Sequence, residues 1–130
     1  MYKQQFIVDT DSLIKLTKSG LINDVCKHFK CVITEEVFDE AVTEGKKRLY
    51  QDAFEAEKLI KNKSIKLKKA VKKEAELRSN IGEGEKSVFA LYRKSKNSTI
   101  VSDDNTFIKA LREEKARFII PADFITLLKS

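Results

Sequence analysis

Short apolar runs alternate with amphipathic helical patterns from one end of the chain to the other, and this alternation restricts the fold more than any single residue does. "FIV" (6–8) leads into "DSLIKLTKSG", where Leu13, Ile14 and Leu16 are apolar and Gly20 is a stop signal. "LINDVCKHFK" brings Leu21, Ile22, Val25, Cys26 and Phe29 to a second helical face, and "CVIT" (31–34) reads as a buried strand. "TEEVFDEAVTEG" predicts a helix N-capped by Thr34, with Glu35 and Glu36 in the first turn and Gly45 just past its end. Residues 48–61 predict a longer helix with Leu49, Ala53, Ala56, Leu59 and Ile60 as its inner stripe, followed by "SIKL" as a short edge strand. A helix from about Gly84, a strand at "STIVS", a helix at "DDNTFIKALREE", a strand at "RFII" and a helix opened by Pro121 complete the pattern.

Parallel neighbours need a crossover, and crossovers are right-handed, so this order predicts a three-layer α/β/α fold around a mainly parallel sheet. No internal repeat or linker interrupts it, and 130 residues suit a single domain spanning 1–130. Charged residues make up 35% of the chain against about 25% in an average soluble protein, yet 42% is hydrophobic, which is a globular balance. Ligands of such sheets bind beyond the C-terminal ends of the strands. That rim is where chemistry is expected.

Several function classes lack the residues they need. The N-terminus carries acids within its first dozen residues and no long apolar run, so no signal peptide is expected, and "FII" and "FALY" fall far short of the ~20 residues of a membrane span. The expectation is a soluble, cytoplasmic protein with no membrane partner. Cys26 and Cys31 have no second pair, which argues against a zinc ribbon or disulfide framework and suits a reducing compartment. His28 is the only histidine, so two-histidine ribonuclease chemistry and a serine triad are excluded. No phosphate-cradling glycine motif is present, and "GEGE" lacks the required spacing.

What the rim does receive is acid. Asp9 and Asp11 follow the first strand, and Asp103 and Asp104 follow the strand at "STIVS" in the same way. Glu85 opens a helix on the face of Val88, Phe89 and Tyr92, and Glu40 sits in the second helical turn after "CVIT". Each has an ordinary reading beside the functional one. Asp9, Thr10, Asp11 or Asp104 could cap a helix, Glu85 could complement a helix dipole, and Glu40 could be a solvated surface acid. Together these readings lose force, because clustered like charges raise one another's pKa unless something positive sits between them. Carboxylate oxygens are hard ligands suited to Mg2+ or Mn2+, and such an ion can activate water against a phosphodiester.

Four of these segments, in order, resemble the motifs of the PIN-domain family of metal-dependent nucleases. "FIVDTDSLIKL" resembles the family's opening strand, whose acid maps to Asp9; "VITEEVFDEAV" resembles the second motif, mapping to Glu40. "IGEGEKSVFALY" is similar to the glycine–glutamate motif of one branch, mapping to Glu85 with Glu83 nearby, and "TIVSDDNTFIKAL" is similar to the last motif, mapping to Asp104 with Asp103 adjacent. Asp11 departs from the pattern, since the family usually has a small neutral polar residue there. It would be either an extra member of the ligand sphere or a disturbance of it. The resemblance implies a five-stranded sheet, a Mg2+ or Mn2+ site with Asp9 as direct ligand, and endonucleolytic cleavage of single-stranded or structured RNA. Glu40, Glu85 and Asp104, with Asp103 beside them, would complete the site directly or through water, and Thr10 or Asp11 would orient Asp9 or cap the helix. Small single-domain members are often the toxin of a toxin–antitoxin pair of the VapC type, with an antitoxin protein as partner, and many form homodimers.

Two rival readings start from the same residues. Asp9 and Asp11 as Asp-x-Asp also resemble the first motif of haloacid dehalogenase-type phosphatases, with Thr34 as the second-motif hydroxyl, although Glu40 and Glu85 then have no role. The other rival is a non-catalytic PIN-like scaffold that binds RNA or protein. Finally, "KLIKNKSIKLKKAVKK" (58–73) holds eight lysines and no acid in a chain of net charge +6. It reads either as a solvated helix end and guarded edge strand or as an electrostatic track for RNA, with Lys66, Lys68, Lys69 and Lys72 as phosphate contacts. The segment has no aromatic residue for stacking bases, so any base preference would come from Tyr50, Phe54 or Tyr92 if exposed.

Overall fold

The computed structural model describes residues 4–70, 80–95 and 97–129. Its elements run β1 (Gln5–Val8), α1 (Thr10–Lys18), α2 (Ile22–His28), β2 (Lys30–Thr34), α3 (Glu35–Phe38), a π-helical turn (Asp39–Thr43), α4 (Glu44–Lys47), α5 (Gln51–Lys61), β3 (Ile65–Lys68), α6 (Glu83–Lys94), β4 (Ser98–Val101), α7 (Asn105–Glu113), β5 (Phe118–Ile119) and α8 (Pro121–Leu128). All five strands are parallel, in the order β3-β2-β1-β4-β5. The expected three-layer α/β architecture is therefore present.

Parallel strands with helices on both sides have no solvated face, and the strand residues reflect this. Ile7, Val32, Ile33, Ile100 and Val101 are all completely buried. The α6 helix crosses β1, β2 and β4, while α1 packs with α2, α5 and α8. Where β1 begins, the rings of Phe6, Phe29 and Phe124 close on one another with centroids 4.6–5.2 Å apart.

The strand order decides where a ligand can enter. From β1 the chain steps outward to β2 and β3, then returns across the sheet to β4 on the other side of β1. The topological switch point thus lies between β1 and β4, and in open parallel sheets this is where a crevice forms. Register sets Val8 beside Val101, so the residues after each strand, Asp9 and Ser102, stand next to one another.

Two local expectations are corrected. Gly45 does not end the helix begun at Thr34 but lies inside α4, where a Cβ would fall 2.7 Å from that of Ala53; it is the close approach of α5 that requires glycine. Leu49 does not belong to the inner stripe of the following helix: it is 80% exposed, with φ 61°, while Ala53, Ala56 and Leu59 are buried as expected. The stop comes at Leu49 instead, where the N–H of Tyr50 bonds the carbonyl of Gly45 (2.9 Å) and the N–H of Leu49 that of Lys46 (3.0 Å). This is a left-handed helix cap with leucine in glycine's usual place.

Candidate active site

Each acid reaches the rim by a local rule and the cleft by a tertiary one. Asp9 leaves β1 in extended conformation and caps α1, its Oδ1 accepting the Ser12 N–H at 2.9 Å. Asp104 leaves β4 and caps α7 in the same manner, accepting the Phe107 N–H at 2.8 Å. The capping role and the rim position are therefore not alternatives. In each case the helix engages the Oδ1, so the cap fixes the direction of the carboxylate.

Glu85 sits in the first turn of α6, and its Oε1 accepts the Gly82 N–H at 3.2 Å. Glu40 enters through the π-helical turn, a one-residue widening that changes which way following side chains face and that occurs often at functional sites. Its Oε1 lies 3.4 Å from the Thr10 hydroxyl, which donates to it. A Cβ on Gly84 would lie 1.7 Å from that same oxygen, so the second glycine of "GEGE" makes room for Glu40.

These groups line one cleft of about 110 Å³ formed by Asp9, Thr10, Asp11, Glu40, Gly82, Gly84, Glu85 and Asp104. Among the described residues, no lysine or arginine lines it. Asp9 is 2% exposed, and burial raises its pKa while hydrogen bonds from Ser102 and Ser12 oppose the rise and Asp11 adds to it. Burial likewise raises Glu40, opposed by Thr10 and reinforced by Asp11, Asp9 and Glu36. Glu85 is pushed up to about 7, first by burial and then by Asp104, with the Gly82 N–H opposing and Asp9 and Asp11 contributing further. The carboxylates thus behave as one electrostatic unit, with Lys15, paired to the neighbouring Asp103, as a cation within reach of Asp11 and Asp9.

The remaining expected residues divide clearly. Asp11 is exposed and lines the cleft, and Thr10 lines it as well. Asp103 turns away from the lining to pair with Lys15, and Glu83 is exposed with Lys86 at 4.0 Å. Thr34 is fully buried, caps α3 through Val37 and donates to Ser87, so it does not face the cleft. In the lysine segment, Lys66 and Lys69 are exposed, but Lys68 donates to Gln5 Oε1 at 2.9 Å, beside the first residue of β1 and at the end opposite Asp9. Lys72 lies outside the described residues.

Sequence reasoning missed Ser102, Ser12 and Gly84. Ser102 is fully buried, bonds Asp9 and accepts the Asp104 N–H at 3.3 Å, so it ties the two capping acids together. Only the β1–β4 register reveals it. Ser12 is buried beside Asp9, and among the described residues its hydroxyl has no hydrogen-bond partner of ordinary geometry.

The donor set consists of carboxylate and hydroxyl oxygens, without sulfur or imidazole, which fits Mg2+ or Mn2+ rather than zinc. The acids are gathered but not closed into a cage: among the described residues no three His, Cys, Asp or Glu side chains already meet around one point. Among those residues, too, no helix is long and apolar enough to cross a membrane. No curated protein matches the chain. A family model described as a PIN domain (DUF3368) matches residues 5–119.

Proposed function

The chain belongs to the PIN-domain family, whose members are generally nucleases that use divalent metal ions, and on that premise we propose that it is a Mg2+- or Mn2+-dependent endoribonuclease. The observation that carries this reading is the cleft at the switch point, where four separated segments deliver Asp9, Asp11, Glu40, Glu85 and Asp104 and, among the described residues, no lysine or arginine lines it. Asp9, Asp104 and Glu85 would hold the ion. Once bound, it would lower the pKa of an attacking water and offset charge developing on the phosphodiester.

The chain's own groups do the rest. The α1 and α7 caps and the Ser102 hydroxyl fix the directions of the Asp9 and Asp104 carboxylates. Glu40, held by Thr10 and given room by Gly84, also lines the cleft, where it would orient an attacking water by accepting its hydrogen bond. Lys15, held by Asp103 and within electrostatic reach of Asp11 and Asp9, offers a positive neighbour to a phosphate at the cleft edge. We read the protein further as the toxin of a toxin–antitoxin pair, a reading that rests on resemblance to small family members. The phosphatase alternative loses its second-motif hydroxyl, because Thr34 is buried and its hydrogen bonds are taken.

Incubating the purified chain with single-stranded RNA and with Mg2+, Mn2+ or a chelator tests the core of this. Internal cleavage that depends on the metal is expected. Cleavage undiminished by the chelator overturns the metal mechanism, and absence of cleavage with tight RNA binding favours a non-catalytic scaffold.

A further inference from the structure

Beside the acid cleft lies a second cavity of about 290 Å³, close to the lower end of the ~300–1,000 Å³ range of small-molecule sites. Glu40 lines both cavities, so the two adjoin at that side chain. The second is formed where α1, the π-helical turn, α4 and the start of α5 meet. Its walls carry Ile14, Glu44, Arg48, Tyr50 and Asp52.

Three consecutive residues at this pocket, 48–50, present their side chains to solvent. Tyr50 is 51% exposed, although its ring rests against α4: a Cβ on Gly45 would lie 3.9 Å from Tyr50 Cδ2. About half of Tyr50 is thus open to solvent at the pocket, which leaves an aromatic ring accessible for stacking. Arg48 is exposed and, among the described residues, its guanidinium makes no ion pair or hydrogen bond. Between them Leu49 holds φ 61° with its side chain 80% in solvent, an outlier for a leucine where glycine would be unstrained. Two of the four large apolar residues exposed among those described therefore fall in this one turn.

We propose that this pocket is a nucleotide subsite of the nuclease, in which Tyr50 stacks the base of a nucleotide neighbouring the scissile phosphate and Arg48 contacts its backbone. The proposal rests on the endoribonuclease reading and adds the residues that grip the substrate. The charges in the pocket say which part of the nucleotide lies where. Glu40, Glu44 and Asp52 disfavour phosphate inside it, and Glu44 is itself occupied by Lys47 at 3.3 Å. Asp52 is left as an acceptor for the N–H groups of a base edge. Phosphate is favoured only at the mouth, beside Arg48. Phe54 and Tyr92 serve this role less well. Phe54 lies beneath the Lys46 ammonium (5.7 Å), and Tyr92 is stacked with Arg117 (5.7 Å) and accepts its N–H at 2.9 Å.

The test measures binding separately from cutting. In an Asp9→Asn background with Mg2+ present, affinities for labelled single-stranded oligonucleotides are compared for Tyr50→Ala, Tyr50→Phe and Arg48→Gln across a salt series. Tyr50→Ala should weaken binding about tenfold without changing its salt dependence, and Tyr50→Phe should restore it, because stacking needs the ring and not the hydroxyl. Arg48→Gln should lower the slope of log affinity against log salt by about one. In the otherwise wild-type chain, Tyr50→Ala should also alter the preferred cleavage site. If Tyr50→Ala binds RNA as tightly as its parent, the subsite is overturned. If the parent binds none of the oligonucleotides, the endoribonuclease reading itself fails, and the subsite with it.

Discussion

Where β1 begins, Phe6 packs against Phe29 and Phe124 with centroids 5.2 and 4.6 Å away, and Phe124 is wholly buried. Where β1 ends, about four residues away, Asp9 is nearly as buried but stands among four other carboxylates. The two ends of one strand are thus closed by opposite physics. The aromatic end gains from burial and close packing and opposes nothing. The acid end is held by helix caps that fix its geometry, while its charges repel. Stability and activity should accordingly separate along the strand, and each end can be perturbed without the other.

The largest effect is expected at the aromatic end. Phe124→Ala should lower unfolding free energy by about 3–5 kcal/mol, measured by denaturant titration, while leaving activity per folded molecule near that of the parent. Asp9→Asn is the reciprocal change. It should reduce RNA cleavage on the order of 10²–10³-fold, about 3–4 kcal/mol of barrier, while thermal stability without metal holds or rises because a crowded charge is gone. Loss of stability in Asp9→Asn equal to that of Phe124→Ala would mean that the cap outweighs the repulsion, and the contrast between the ends would collapse.

A smaller effect follows from pH. The Glu85 carboxyl titrates near its ordinary value of 4.5 in the unfolded chain and at about 7 in the folded one. Between these values the folded protein keeps a proton that the unfolded chain has lost, so stability falls as pH rises through this window. The loss for the metal-free protein is on the order of 2 kcal/mol, complete above about pH 7. Melting curves from pH 5 to 8 should show it, with Mg2+ recovering stability at the alkaline end. Glu85→Gln should flatten the curve; an unchanged slope would assign it to other groups. Glu57, lowered by Lys46, acts in the opposite sense but below this window, so it does not mask the slope.

The smallest effect expected is at Gly84. In Gly84→Ala the new methyl collides with the end of a flexible side chain, so Glu40 moves and the backbone need not. Cleavage should fall about tenfold, ~1.4 kcal/mol, with little change in melting temperature. Adding Glu40→Gln to Gly84→Ala should cost little more, because both changes disable the same group. Fully additive losses would show that Gly84 acts on something other than Glu40.

The elements at both ends could be read before any coordinates, because each is set by residues close in the chain. The 2- and 3.6-residue periods that separate "FIV" from "DSLIKL" depend on neighbouring side chains, and a cap such as Asp9 to Ser12 or Asp104 to Phe107 spans three residues. The alternation of those elements was enough for a parallel sheet, and the acids after the strands were enough for a rim. What joins them is non-local. That β4 returns to lie beside β1, and so sets Ser102 against Asp9, depends on strand order and register. The π-helical turn that carries Glu40 to Gly84 comes from a stretch whose local pattern is that of an ordinary α-helix. Lys68, one of a uniform run of lysines, reaches across β2 to the Gln5 side chain two strands away, and Leu49 is expelled from its expected stripe because α5 must pack against Gly45. Hydrophobic period and helix caps act over a few residues and can be read along the chain; which carboxylate meets which neighbour is set by packing between segments far apart in sequence, and only the tertiary structure decides it.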